Sequence, residues 1–70
     1  MILWVHHRNG EGGKGLGFLF NPACMAYTSK FGTANNTFVH RLDGGAMVIW
    51  ESEAQLYQMI EKRMAEANPA

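Results

Sequence analysis

Seventy residues leave room for one hydrophobic core, so a single domain over residues 1–70 is expected. Cys24 is the only cysteine, which excludes an intrachain disulfide and a four-cysteine zinc site. Six basic and six acidic side chains cancel, so the basic excess usual in nucleic-acid-binding domains is missing.

Ile2–His7 is apolar and rich in β-branched and aromatic residues, the pattern of a first strand. Leu16–Phe20 is the second. Between them Arg8–Gly15 is long for a hairpin loop, and its glycines leave it free to move. Asn21 followed by Pro22 has the form of a helix start, with Gly32 placed to close the helix. Ala23, Tyr27 and Phe31 share one side of such a helix, which predicts Pro22–Phe31 as helical. Thr28 and Ser29 are poor helix formers and support the alternative, a hairpin arm through Tyr27–Thr33.

After the connector Thr33–Asn36, Asp43-Gly44-Gly45 joins Thr37–Leu42 to Ala46–Trp50 as a hairpin. Ser52 and Gln55 form a capping box that opens a C-terminal helix, with Glu53 at its positive end. Leu56, Tyr57, Ile60, Met64 and Ala67 make its apolar stripe, Met59 falls toward the polar side, and Asn68-Pro69 ends it.

The fold predicted is α+β: a small, mainly antiparallel four-stranded sheet with two helices, in the order β-β-α-β-β-α. The strands through Trp4, Phe18 and Met47 carry apolar residues on both faces. Two short helices cover one face of such a sheet, which leaves the other for a second copy or a partner; the alternative is one helix packed on each face.

Gly10-Glu11-Gly12-Gly13-Lys14-Gly15 satisfies the dinucleotide-binding glycine pattern, but that pattern needs a helix directly after it, and here a strand follows. Lys14-Gly15-Leu16-Gly17-Phe18-Leu19 resembles the first RNA-binding signature of RNA-recognition motifs and cold-shock domains, and Phe38-Val39-His40 resembles the second signature of the latter. The resemblance implies a sheet surface on which Phe18, Phe20, Phe38 and His40 stack bases. Leu16 stands where the family has an aromatic ring.

His6, His7 and His40 carry metal-ligating chemistry without a spaced pair on one element, so no metal and no cofactor are expected. Cys24 falls in the first turn of the predicted helix, where a helix dipole activates a thiol, but no orienting partner accompanies it.

The expected function is that of a small, non-enzymatic, cytoplasmic interaction protein that forms a homodimer or binds another protein. Small modulators carried by phages and mobile elements are a loose parallel. No run reaches the roughly 20 apolar residues of a membrane span. The expected contacts are Trp4, Gly12, Gly13, Lys14, Phe18, Phe20, Met47 and Trp50. The alternative is single-stranded nucleic-acid binding by Lys14, Phe18, Phe20, Lys30, Phe38, His40 and Arg41.

Overall fold

The computed structural model describes residues 1–67. Strands β1 (Leu3–Arg8), β2 (Lys14–Phe20), β3 (Met25–Lys30), β4 (Thr37–Arg41) and β5 (Ala46–Ile49) form a sheet in the order β2-β1-β5-β4-β3. All pairings are antiparallel, and one helix, α1 (Glu53–Ala67), follows β5. The fold is α+β, but among the described residues five strands and one α-helix replace the four strands and two helices expected. The expected helix stop at Asn68-Pro69 lies outside the described residues.

The error lies in Pro22–Phe31. Asn21 does cap a turn, its side chain accepting from the Ala23 N–H at 2.9 Å. Only Pro22–Cys24 turns, however, and Met25 is already extended (φ −78°, ψ 131°). From there Tyr27 lies opposite His40, Thr28 opposite Val39 and Ser29 opposite Phe38. Pairing with β4 outweighs the local start signal, and the weak helix preference of Thr28 and Ser29 offers no resistance. Gly32 is left-handed (φ 57°), but in the β3–β4 turn and not at a helix end.

Two hairpin turns share one construction. Asn9 and Gly13 enclose Gly10-Glu11-Gly12, and Arg41 and Gly45 enclose Leu42-Asp43-Gly44, with equivalent backbone bonds in each. The third loop residue is a glycine at φ 87° in one and 88° in the other, as a three-residue hairpin loop requires. The side chain of Asn9 accepts from Glu11 and Gly13, and that of Asp43 accepts from Gly45. The glycine-rich segment is therefore a closed turn, not the free loop expected.

The core is formed by Leu3, Val5, Phe20, Val39, Ile49 and Leu56, with Phe18, Cys24, Met25, Met47, Met59 and Ile60 packed against it. The capping box is present as predicted: Ser52 N–H donates to Gln55 Oε1 and Gln55 N–H to Ser52 Oγ. The buried side of α1 runs through Leu56, Met59 and Ile60. Met59 thus faces the core, contrary to expectation, while Tyr57 and Met64 are exposed.

The sheet has a seam between β1 and β5, where the ladder is a single pair, His7 opposite Ile49. Trp50 N–H donates to His6 O, and the buried Glu51 carboxylate takes both the His6 N–H (2.9 Å) and His6 Nδ1 (2.7 Å). Thr37 Oγ1 donates to Glu51 O and Asn36 Nδ2 to Trp50 O, which ties the residues after β5 to the β4 side, and Arg8 Nε donates to Asn36 Oδ1 from β1.

Candidate functional site

Three surface regions gather the residues expected to act. The first is the outer side of the β1–β2 hairpin. Trp4 lies opposite Leu19, side by side on the face away from buried Leu3, Val5 and Phe20. Trp4 is 58% exposed and Leu19 71%. Both stand on or next to β2, which among the described residues has β1 as its one strand neighbour. The indole ring lies across Gly17, where any Cβ would collide with it. Gly17 therefore serves close approach, and a side chain there would lift the ring from the sheet.

The second region is the outer face of β3–β4. Tyr27 stacks on His40 (centroids 4.1 Å apart, 11° between planes), and His40 stacks on Phe38 (4.6 Å, 12°). Phe31 tilts against Phe38, and the Arg8 guanidinium sits 5.0 Å from the Phe31 ring. The row is consistent with the register, because Phe38 and His40 alternate with buried Thr37 and Val39. Within it most ring faces are already covered by neighbouring rings. Tyr27, at the end of the row, is 60% exposed.

The third is a cleft of about 380 Å³ between the start of β2 and α1, bordered by Lys14, Trp50, Gln55 and Lys62. Lys14 Nζ stands 5.1 Å from the Trp50 ring centre, a cation–π arrangement. A second hollow on the far side of Trp50 reaches Gly12 and Arg8.

The expected contacts thus separate. Gly12, Gly13 and Lys14 are held in or beside the closed turn, and Lys14 meets Trp50. Trp4, on the hairpin's outer side, borders a separate hollow with Met59, Lys62, Arg63 and Glu66 of α1. Phe20 is buried, and Phe18 and Met47 are partly buried and pack against the core.

Of the nucleic-acid candidates, Phe38 and His40 share the aromatic row, whereas Phe18 and Phe20 face the core. Lys30 lies opposite buried Thr37, and Arg41 is held by Asp43 at 3.2 Å. The first signature resembling those of RNA-binding sheets, Lys14–Leu19, therefore directs Phe18 inward, whereas Phe38 and His40 of the second face outward. Leu19, Tyr27 and Phe31 were missed. Alternation marks Leu19, since it must point out if Phe18 and Phe20 point in. Tyr27 and Phe31 had been placed on a helix.

The histidines are dispersed. His6 is bound to Glu51, His7 stacks on Phe18 at 4.1 Å, and His40 lies in the aromatic row with Ser29 Oγ 3.3 Å from its Nε2. Among the described residues no three His, Cys, Asp or Glu side chains gather as a metal site would need. Cys24 packs against the core at the end of a single turn, without the helix dipole expected for it. Asp43 is the group with a clear shift. The Gly45 N–H and then the Arg41 guanidinium hold its carboxyl below the ordinary value. No helix among the described residues is long and apolar enough to cross a membrane.

The chain matches no protein-family model, no curated protein and no solved structure.

Proposed function

We propose that this chain is a small, non-enzymatic, cytoplasmic interaction module that binds protein through the outer side of its β1–β2 hairpin. The observation that carries the reading is the pairing of exposed Trp4 with exposed Leu19 on a hairpin whose outer strand has a free edge. Large apolar side chains set together on an open sheet edge are what strand addition uses: backbone bonds give affinity and the side chains give selectivity. Trp is also the residue type most enriched where binding energy concentrates.

The test is capture of protein partners, including the chain itself, by immobilised wild type and by Trp4→Ala. The variant should lose what wild type retains. Equal retention by both would overturn the reading.

The Tyr27–His40–Phe38 row favours a second reading, single-stranded nucleic-acid binding, with Tyr27 offering a free ring to a base. Arg8 supplies a cation against Phe31 at the other end of the row. Retention on an oligonucleotide column should then fall steeply with salt. Elution that is the same at low and high salt would exclude it.

A further inference from the structure

We infer that the partner at this hairpin is a second copy of the chain, added antiparallel to β2 with Leu19 on the two-fold axis. This rests on the reading of the hairpin as a protein-binding surface, and it fixes both the occupant and the register.

The edge itself selects the register. From His6 to Arg8, β1 takes two steps while β2 takes three, from Gly17 back to Lys14, so β2 carries one extra residue at Gly15–Leu16. Such a bulge breaks regular pairing, which confines a new strand to the part beyond it. From Gly17 through Phe20 the pairing with β1 is regular, and no charged residue occurs before Asn21. Pro22 then removes a donor and ends the usable edge.

Within this segment two identical antiparallel strands can cross only at a residue, because opposed side chains must share a face. Crossing at Phe18 would bring Leu19 beside Gly17 of the second copy. The Trp4 ring of that copy already occupies the space over Gly17. Crossing at Leu19 avoids the collision. It sets Leu19 against Leu19, and Phe18 against Phe20, of the second copy.

Since Trp4 already lies opposite Leu19, the outer face then carries a continuous row: Trp4, Leu19, and the same two residues of the second copy in reverse. Four exposed apolar side chains then stand in one row related by the two-fold axis, as an isologous interface requires. Lys14 lies five residues from the axis, so the two ammonium groups end more than about 30 Å apart along the strands, far beyond screening distance. The paired segment Gly17–Phe20 itself carries no charge.

The test combines solution mass with cross-linking. Wild type should double its mass as concentration rises in light scattering. Leu19→Arg should remain folded by circular dichroism and stay monomeric at least tenfold higher in concentration. In a Cys24→Ser background, Leu19→Cys should oxidise to a covalent dimer, because directly opposed residues lie about 4.5–5.5 Å apart, within disulfide reach. Leu16→Cys in the same background is as exposed, yet the two thiols would lie about 20 Å apart along the strands and should not cross-link.

A wild type that is monomeric throughout, a dimer indifferent to Leu19→Arg, or equal cross-linking at both positions would each overturn the inference. Trp4-dependent capture of a different protein, with a monomeric wild type, would overturn the second copy alone and leave the interaction reading intact.

Discussion

The two edges of the sheet are built alike and guarded differently. Both outer strands carry one extra residue: β2 at Gly15–Leu16, and β3 at Ala26, where Met25 to Tyr27 spans a single step of β4. Pro22 stands between them in sequence and limits each. At β3, however, the helix reaches over. Thr28 Oγ1 donates to Glu53 Oε2 at 2.8 Å and lies 3.0 Å from the Tyr57 hydroxyl, and Lys30 places a charge at the strand's end. At β2 the helix instead borders a cleft at Lys14, and Leu19 is left exposed at the strand's regular end. A protein that blunts one edge with a helix and a lysine, and leaves apolar side chains on the other, has one edge available for strand addition.

The sharpest way to break this contrast is to loosen the guard. Leu56 is fully buried and anchors α1 to the core, so Leu56→Ala should cost about 2–5 kcal/mol in urea unfolding. With β3 uncovered as well, light scattering should detect assemblies larger than two chains. Gly17→Val attacks the other edge. It expels the Trp4 ring and should cost about 1–3 kcal/mol, with loss of self-association.

Thr28→Val is milder. Removing the hydroxyl that joins Glu53 and Tyr57 should lower stability by about 0.5–1.5 kcal/mol in the same unfolding measurement, without changing solution mass. The smallest effect concerns acid. The Asp43 carboxyl is held below its ordinary value by Gly45 and Arg41, so its contribution is present above the unfolded-chain value and is lost as pH falls through the folded one. Asp43→Asn should flatten the acid limb of the thermal stability profile slightly, a shift that separates turn chemistry from edge chemistry.

Local chemistry was readable where it decides the structure. Asp43-Gly44 sets a positive φ, and Ser52 with Gln55 closes a helix end; both act within a few residues. The third strand was readable only as the alternative, a hairpin arm through Tyr27–Thr33, since Asn21-Pro22 does begin a turn and pairing with β4, brought alongside by the turn at Gly32, is what makes Met25–Lys30 a strand. The same limit governs the site. Trp4 was identified as a contact and is exposed. Phe18, Phe20 and Met47 were identified beside it, but their direction depends on which side the meander folds over the hairpin. That is a tertiary choice that strand composition does not encode.

The single ladder pair at the β1–β5 seam also sets the order of events in time. Residues 3–20 and 25–49 each close through neighbours in sequence, which is fast, whereas His6 must find Glu51 across 45 positions. The two pieces should therefore form early and join late, and opening should run in reverse. Under native conditions the hairpin amides should exchange with solvent through one shared event, the parting of His6 from Glu51, while those of the meander remain protected.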